Sequence, residues 1–548
     1  MTRAIRPVLH YAPDGFETKI ERPMGRQHAG HGVLRAFVAG REGPVTGMAI
    51  GAAPRAGFEA AVREVDPAAP VDWLQEHEWA RLPAWDVLHL PGPDLSAAAA
   101  KRDRLGAASF SLSGVTHTIA SDRVMQSLAA IPASRVMPWD AVICTSSVVR
   151  SAVETILARQ EDLLSRRLGA TRFPRPMLPV VPLGVHAVDF AFDEHDRARA
   201  RLALGIAEDE VVACYVGRLS FHAKAHPAAM YEALEAAAAR TGRKITLVEA
   251  GWFANPSIEK AFAAGRLGLA PSIRSIVTDG RAASGRAQAL AAADIFVSLA
   301  DNIQETFGLT PLEGMASGLP VVVTDWDGYR DTVRDGVDGF RVPTAMPASG
   351  AGEAFAARYE RGTLNYDQYC CVTCLSVAVD LGVLVDRLAA LVSDAGLRRR
   401  MGEAGRAHVR SLYDWTRVYG LYKEVWRECE ALRRAAASAE SAPQAPASSL
   451  DPFELFASYP TRTIGHRDRL RRLPGAAAWQ ARLAAPLFAF ADTLVPEVVA
   501  VARTLMEQGD ALASDTLGEH ARRAGLPLDS VLLAAGLLAK LGVAAIEG

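Results

Sequence analysis

Short apolar runs alternate along this chain with longer segments of helical period. A strand buried on both faces of a parallel sheet reads as a continuous apolar run, and the helix that leads to the next strand has a 3.6-residue period. The predicted strands are 33–39, 46–50, 86–90, 115–119 and 141–145 in the first half and 211–216, 245–249, 273–277, 294–298 and 320–324 in the second. The alternation predicts an α/β protein with two doubly wound halves.

The chain has 548 residues, which is too many for a single hydrophobic core. We expect one α/β domain over 1–200 and a second over 201–415, followed by a long helix over 416–436. An Ala/Ser/Pro-rich stretch over 437–452 has the composition of a flexible linker. Residues 453–548 then form a mainly helical, winged-helix-like accessory domain.

Charge and hydropathy exclude some classes of protein. The formal net charge of -2 gives no overall basic field that would attract nucleic acid. The N-terminal segment MTRAIRPVLHYAPDGF lacks the apolar region of a secretory signal. The apolar run 531–546 is too short to span a bilayer and contains Lys540. We therefore expect a cytoplasmic protein without a nucleic-acid partner.

The last domain has a helix-turn-helix pattern. Thr516-Leu-Gly-Glu519 fits a capping box that opens a short helix, and 529–541 has the period of another. A DNA-binding role would need several cations on one face, but 453–548 hold as many acidic as basic residues and the second helix offers only Lys540. A packing or homo-oligomerisation domain is the better interpretation.

Three cysteines, Cys370, Cys371 and Cys374, lie close together in YCCVTC. A metal site would need a second Cys pair or a His pair to complete four ligands, and neither is adjacent. We interpret the cluster as small apolar residues on a helix in a reduced compartment and predict no metal site.

The stretch QETFGLTPLEGMASG predicts an anion site where a helix begins. If the helix starts near Pro311, whose fixed φ suits the first helical position, the N–H groups of Gly308, Leu309 and Thr310 are left open to a phosphate. Glu313 would then lie in the first turn, within reach of ribose hydroxyls. The alternative is that Glu313 only complements the helix dipole.

Other polar residues follow predicted strands. In YVGRLSFHAKAHP, Gly217, Arg218 and Lys224 follow the first strand of the second half, where ligands of α/β domains bind. Arg218 can grip a diphosphate with two hydrogen bonds while Lys224 adds a point charge, although both could be solvated loop cations. His117 ends a predicted strand, so it is either a core residue or a ligand-facing one.

Gly25 opens a helical pattern in RPMGRQHAGHGVLRAF, so its backbone could approach a phosphate closely. The glycine spacing there is not the dinucleotide-binding fingerprint, because no tight Gly-x-Gly turn follows a strand. His28 and His31 lie on the same stretch, but nothing nearby completes a metal site.

Together these residues resemble the retaining family 4 glycosyltransferases of the GT-B fold (glycosyl transferases group 1). The likeness covers roughly residues 1–430. It rests on the Glu-x7-Glu spacing of Glu305 and Glu313 with Phe307-Gly308-Leu309 inside it, the following ASGLPVVVTDWDG, Gly217-Arg218-Leu219 with Lys224, and VVPLGV at 180–185. The resemblance implies two Rossmann-like domains that face each other across a cleft, with 416–436 crossing back to the first.

The resemblance also implies roles for the residues. Arg218 and Lys224 would clamp the donor diphosphate, Glu313 would bind the ribose, and Glu305 would face the transferred sugar. The segment Phe307 to Thr310 and Gly217 complete that donor site. His117 would lie beside the sugar and Gly25 beside the phosphates. The catalytic set would be Glu305, His117, Arg218 and Lys224.

Some positions depart from the family pattern. Ala225 follows Lys224 where glycine is usual. Asp327-Gly328 stand where a Gly-Gly pair is common, and Asp331 stands where Glu is common. These changes leave a donor site but weaken any inference about which sugar it selects.

The resulting expectation is a glycosyltransferase that moves a sugar from a UDP- or GDP-sugar to a carbohydrate or glycolipid acceptor, with retention and without a metal cofactor. Polysaccharide or glycoconjugate biosynthesis and peripheral membrane association fit such an acceptor. A hydrolase or epimerase on the same scaffold lacks an obvious dedicated base. The remaining alternative is a non-catalytic sensor that binds a nucleotide sugar and signals through 453–548.

Overall fold

A computed structural model of the chain describes residues 3–17, 25–436, 450–489, 496–507 and 514–548. The chain divides into two compact units, Met1–Pro446 and Ala447–Gly548. Most of the predicted linker, 437–449, lies outside the described residues.

The first half of the first unit is a parallel sheet with the order β3-β2-β1-β4-β5-β6. Its strands are β1 (Pro7–Tyr11), β2 (Val45–Ala49), β3 (Val71–Leu74), β4 (Val87–Leu90), β5 (Ser111–Val115) and β6 (Ala141–Ile143). The connecting helices are α1 (Pro13–Phe16), α2 (Gly25–Ala39), α3 (Arg55–Val65), α4 (Ser96–Asp103), α5 (Asp122–Ala130) and α6 (Ser147–Leu168), with 3-10 helices at Glu76–Ala84, Ile131–Ala133 and Ala187–Phe190. The strands are almost wholly buried between these helices.

The sequence interpretation of this half was partly wrong. Residues 33–39 were predicted to be a strand but belong to α2. The prediction failed because a short apolar run on a buried helix has no periodicity that separates it from a strand. Strands β1 and β3 were not predicted. The strand predicted at 115–119 is β5, which ends at Val115, so His117 lies in the loop beyond it.

The second half is another parallel sheet, with the order β12-β11-β10-β7-β8-β9. Its strands are β7 (Val211–Val216), β8 (Ile245–Gly251), β9 (Arg274–Asp279), β10 (Ile295–Ser298), β11 (Val321–Thr324) and β12 (Gly339–Val342). Its helices are α7 (Glu194–Leu204), α8 (Ala228–Thr241), α9 (Pro256–Leu269), α10 (Ala283–Ala292), α11 (Leu309–Ala316) and α12 (Tyr329–Thr332). The predicted strands of this half all correspond to observed ones.

A helical hairpin interrupts the end of the second half. Strands β13 (Thr344–Ala345) and β14 (Ala378–Val379) pair in antiparallel fashion, and α13 (Glu353–Glu360) and α14 (Tyr366–Cys374) lie between them. The YCCVTC cluster is on α14, as predicted, and its cysteines are free thiols. Helices α15 (Leu381–Ser393) and α16 (Ala395–His408) follow, then a π-helical turn at Val409–Tyr413.

The chain crosses between the two halves twice, at adjacent positions. The N–H of Val185 donates to the Tyr413 carbonyl, and the N–H of Trp415 donates to the Val185 carbonyl. Helix α17 (Trp415–Ala436) then lies against the first half, where the Trp426 indole N–H donates to Ser113 Oγ at 2.8 Å.

The second unit is mainly helical. Its helices are α18 (Pro452–Leu455), α19 (Trp479–Leu483), α20 (Pro496–Glu507), α21 (Leu517–Ala524) and α22 (Leu528–Lys540), with 3-10 turns at Ala476–Ala478 and Pro486–Phe488. Strands β15 (Arg469–Arg472) and β16 (Ala544–Glu547) pair in antiparallel fashion. Thr516 and Glu519 form the predicted capping box. None of the described helices is both long enough and apolar enough to cross a bilayer.

Candidate active site

The strand order of the second sheet locates a crevice. The order reverses between β7 and β10. Because crossover connections are right-handed, the connections from these two strands leave on opposite faces of the sheet. Ligands of open α/β sheets bind beyond the carboxyl ends of the strands at such a point. Arg218 follows β7 and Glu305 follows β10, so these two predicted donor-binding residues flank this crevice.

Lys224 and Glu305 form an ion pair there. Lys224 Nζ donates to Glu305 Oε2 at 2.7 Å, and the two side chains are 31% and 14% exposed. Burial alone would raise the pKa of Glu305, but the Lys224 ammonium and the N–H groups of Thr306 and Phe307 outweigh it, so the pKa lies below its usual value. Glu305 is therefore a carboxylate at neutral pH.

Arg218 lies beside this pair. Its Nη2 donates to the Ala223 carbonyl at 3.1 Å and lies 3.5 Å from Gln304 Oε1. Gly217, which precedes it, has a φ of +154°, and a Cβ there would lie 2.9 Å from the Tyr215 hydroxyl. The glycine therefore allows the chain to turn sharply from β7 and present Arg218 in the crevice.

The helix after Glu305 begins two residues earlier than the sequence indicated. Gly308 caps α11 with a φ of +83°, so Leu309 is the first helical residue and Pro311 is the third, not the first. Proline is still tolerated, because the first helical N–H groups have no partner within the helix. The amides of Leu309 and Thr310 are at the N-terminus, as predicted, but Glu313 lies beyond the first turn.

Glu313 is held in an unusual environment. Its Oε2 is buried and has no hydrogen-bond partner among the described residues. Burial raises the pKa of Glu313, and the positive charge of Arg286 only partly opposes this. A buried carboxyl oxygen without a partner is a group that a ligand hydroxyl would satisfy.

Arg286 also reaches the first half of the unit. Its Nη1 lies 3.4 Å from His28 Nε2 on α2. Burial, Arg286 and His31 together lower the pKa of His28 to about 4, so the imidazole is neutral and accepts the guanidinium hydrogen bond. Sequence reasoning singled out His28 but gave it no role and did not find Arg286.

Two of the predicted site residues, His117 and Gly25, belong to the first half. His117 is half-buried just after β5, and its Nε2 lies 3.1 Å from the Pro91 carbonyl oxygen. Gly25 is the first residue of α2, is exposed, and has open space where a Cβ would stand. Pro91 follows β4, and the order of this sheet reverses between β1 and β4.

The two halves touch close to these residues. The Tyr366 hydroxyl on α14 lies 3.2 Å from Thr118 Oγ1, next to His117, and the N–H of Asp122 donates to the Tyr359 hydroxyl at 2.9 Å. Sequence reasoning missed both tyrosines, because no local pattern shows that the hairpin extends to the opposite half. The α13–α14 hairpin thus bridges the cleft beside the predicted site.

A second set of bridging contacts lies at the start of α6. Ser146 Oγ donates to the Thr306 carbonyl at 2.8 Å, and Ser147 donates through both its N–H and its hydroxyl to the Asp331 carboxylate at 2.6 Å. Asp331, noted in the sequence as a departure, therefore accepts hydrogen bonds at the N-terminus of α6 in the opposite half.

The geometry defines what this crevice can bind. Arg218, Lys224 and the N-terminus of α11 offer positive charge and hydrogen-bond donors suited to a diphosphate. Glu305 and Glu313 offer carboxylates suited to hydroxyl groups. In the part of the chain that the structure describes, no group of three or more His, Cys, Asp or Glu residues is arranged to hold a metal ion.

Comparison with known proteins agrees with this chemistry. Residues 210–358 match the family model described as "Glycosyl transferases group 1". The D-inositol 3-phosphate glycosyltransferase of Geodermatophilus obscurus is 37% identical over 35% of this chain and 42% of its own length. The phosphatidyl-myo-inositol mannosyltransferase of Mycobacterium leprae is 33% identical over 25% of this chain and 26% of its own length. The alignments thus span less than half of these two relatives.

Solved structures share the fold. Anabaena Alr3699/HepE in complex with UDP superposes with a TM-score of 0.51 and 16% identity over 77% of this chain and 100% of that one. The same protein in complex with UDP-glucose gives a TM-score of 0.50 and 17% identity over 78% of this chain and 100% of that one. At that identity the likeness establishes the two-domain fold alone.

Proposed function

We propose that this chain, whose residues 210–358 match the group 1 glycosyltransferase model and whose first unit has the GT-B fold, transfers a hexose from a nucleoside-diphosphate sugar to an acceptor with retention of configuration. The observation that carries the proposal is the Lys224–Glu305 ion pair beside Arg218 at the switch point of the second sheet. This arrangement combines positive charge that can stabilise a leaving diphosphate with a carboxylate that can accept hydrogen bonds from a sugar.

The chemistry follows from charge development. The bond between the anomeric carbon and the diphosphate oxygen breaks through an oxocarbenium-like transition state, and negative charge builds on the departing phosphate. Arg218, Lys224 and the amides at the start of α11 stabilise that charge without reorganising. The acceptor oxygen attacks from the face that the phosphate leaves, and the phosphate takes its proton, so no side chain acts as the base.

We propose that this reaction uses no resident metal, because two side-chain cations and a helix N-terminus already supply the positive charge at the diphosphate. Gly25, at the start of α2, approaches the phosphates from the other half, and His117 lies beside the transferred sugar. The hydrogen bonds between the halves exclude water and so limit hydrolysis of the donor.

The donor is a UDP- or GDP-sugar, and the acceptor is a carbohydrate or glycolipid of polysaccharide or glycoconjugate biosynthesis. The relatives named for inositol acceptors and the UDP complexes of Anabaena HepE support these classes. The acceptor occupies the first-half side of the cleft, near His117 and Gly25.

The test is calorimetric titration of the purified chain with UDP-glucose, GDP-mannose and the parent diphosphates, followed by mass spectrometry of mixtures with a carbohydrate and glycolipid extract. We expect one donor to bind and a glycosylated product to form. The Arg218→Ala/Lys224→Ala double variant should lose both, while an exposed-site variant, Lys260→Ala, should keep them.

One observation on the accessory unit favours the alternative function, a non-catalytic nucleotide-sugar sensor. Residues 447–548 form a separate compact unit that the family match does not reach. Tight donor binding without cleavage, in the presence of acceptor extract, would favour a nucleotide-sugar sensor that acts through this unit. Absence of binding to every donor would contradict both functions.

A further inference from the structure

Asp327 has a backbone conformation that side chains rarely adopt. Its φ is +36°, and it is the one non-glycine residue with a positive φ in the ranges that the structure describes. Such a conformation is unfavourable for a residue with a Cβ and persists only where the surroundings enforce it. In the resemblance noted above, a glycine is common at this position.

The neighbours of Asp327 fix it against the donor crevice. The Trp326 indole N–H donates to the Asn302 carbonyl at 3.2 Å. Gly328 lies so close to the loop after β10 that a Cβ there would be 2.5 Å from the Phe307 Cα. The loop that carries Asp327 is therefore packed directly on the loop that carries Glu305.

The carboxyl group of Asp327 is only half satisfied. Its Oδ1 accepts from the N–H of Gly328, whereas Oδ2 is buried and has no hydrogen-bond partner among the described residues. The residue is 9% exposed. The charges of Glu305 and Lys224, the ion pair of the proposed site, both act on its carboxyl group.

The pKa values of Glu305 and Asp327 shift in opposite directions, although the charge of Lys224 acts on both. Burial and the negative charge of Glu305 raise the pKa of Asp327 well above its usual value, and the Gly328 N–H, Lys224 and the Tyr329 N–H oppose this only in part. The pKa of Glu305 is lowered instead. Glu305 thus remains a carboxylate, and Asp327 is the more readily protonated of the two.

A purely structural role does not account for this arrangement. The hydrogen bond from the Gly328 N–H, just before the four-residue helix α12, uses only one of the two carboxyl oxygens. A glycine would adopt the same φ without strain and would remove the buried, unpaired Oδ2. Retaining an acid here is unfavourable for folding unless a ligand completes its hydrogen bonds.

We propose that Asp327 is a specificity-determining residue of the donor site: its unpaired carboxyl oxygen, beside Glu305, binds a hydroxyl of the transferred sugar. This inference rests on the proposed function. The Asp327 carboxyl offers its unpaired oxygen to one sugar hydroxyl, while the Glu305 carboxylate accepts a hydrogen bond from another. The two side chains together recognise adjacent hydroxyls, so that a donor with the wrong configuration leaves a buried polar group unpaired.

The test separates the sugar from the nucleotide. The dissociation constants of UDP and UDP-glucose, and of GDP and GDP-mannose as a second pair, are measured for the wild type and for Asp327→Gly, Asp327→Asn and Asp335→Ala. Within each pair, the ratio of the dissociation constant of the diphosphate to that of the sugar nucleotide is the sugar increment, the factor by which the sugar improves affinity. Asp335 is the matched control, because it is an exposed acid on the same connection and accepts from the Arg341 N–H at 2.9 Å.

We expect Asp327→Gly to bind the diphosphate as the wild type does but to lose about tenfold in the sugar increment, which is the magnitude of one hydrogen bond. Its melting temperature should rise by about 2 °C, because the strain is relieved. Asp327→Asn keeps a hydrogen-bonding side chain of the same size and tolerates this φ, so its sugar increment should stay within about threefold.

The outcomes are distinguishable. A wild type that gains affinity from the sugar, with Asp327→Gly gaining equally, overturns the inference and leaves the proposed function intact. Loss of diphosphate binding in Asp327→Gly also overturns it, since the residue would then support the site as a whole. A wild type that binds neither sugar nucleotide overturns the proposed function and the inference with it.

Discussion

Lys224 Nζ lies 2.7 Å from Glu305 Oε2, so that side chains from the loops after β7 and β10 form a part-buried ion pair in the proposed donor crevice. The pair holds the lysine in place before any ligand arrives, and a diphosphate can then share its remaining N–H groups. Pre-organisation of this kind is what electrostatic stabilisation of a leaving group requires. The same pair explains why Glu305 remains ionised despite burial.

Replacement of Lys224 by alanine should reduce kcat/KM for the donor by about 100-fold, because it removes one positive charge that would stabilise the leaving diphosphate. It also leaves Glu305 buried without its cation, so the variant should be less stable than the wild type. Steady-state kinetics and thermal unfolding measure the two effects. Lys260→Ala on α9 is the control, and equal activity of both variants would contradict a role for Lys224 in the site.

Asp301, which follows β10, should make the stability of the protein depend on pH. Burial raises its pKa to about 6, although hydrogen bonds from the Cys374 thiol and the His226 N–H oppose the shift. A raised folded-state pKa means that the folded chain holds the proton more tightly. The stabilisation is complete below the unfolded pKa near 4 and is lost as the pH rises through about 6.

Asp301→Asn should abolish that dependence, because the amide is neutral at every pH. Relative to this variant, the wild type should lose about 2 to 3 kcal/mol of unfolding free energy between pH 4 and pH 7. Denaturant titrations at half-unit pH steps measure the difference. A constant difference across this window would show that Asp301 is ionised in the folded protein.

Substitution by alanine should have different effects at two glycines of the predicted site. Gly308 has a φ of +83°, and a Cβ there would lie 1.9 Å from Tyr329 Cε1, so Gly308→Ala should lower the melting temperature by several degrees. Gly25 has open space, so Gly25→Ala should fold normally and raise only the KM for the donor. An unchanged KM for folded Gly25→Ala would remove Gly25 from the phosphate site.

The hydrogen bond between Thr118 and Tyr366 should keep water out during transfer. Thr118→Val and Tyr366→Phe should each raise donor hydrolysis relative to transfer, and the double variant should be no worse than the worse single one. We expect a coupling energy of about 1 kcal/mol in a double-mutant cycle. Additive effects would mean that the two hydroxyls act independently.

The second half of the first unit was largely predictable from the sequence. Its strands are continuous apolar runs, such as VVACYV, and the polar residues that follow them lie at the carboxyl edge of a parallel sheet. Arg218 and Lys224 were therefore expected at this edge, the resemblance added Glu305 to the same site, and their roles as ligands stay predictions. The first half was harder, because GVLRAFVA on α2 is apolar on nearly every side.

Other features depend on contacts that no local pattern contains. The start of α11 was misplaced because Pro311 signals a first helical position, whereas Gly308 with its left-handed φ fixes the actual start. The bridge from Tyr366 to Thr118 spans 248 positions in the chain. Asp327 looked like a mild departure from a glycine pair, and only the packed loop shows its unpaired oxygen.

The most direct test of the central claim is a 31P NMR time course of the purified chain with the sugar nucleotide that it binds, run beside the Arg218→Ala/Lys224→Ala variant. We predict that the wild type converts the donor diphosphate signals into those of the free nucleoside diphosphate, slowly alone and faster with acceptor extract, and that the variant leaves the donor intact. Equal conversion by both proteins, or none by the wild type with acceptor present, would contradict glycosyl transfer at this site.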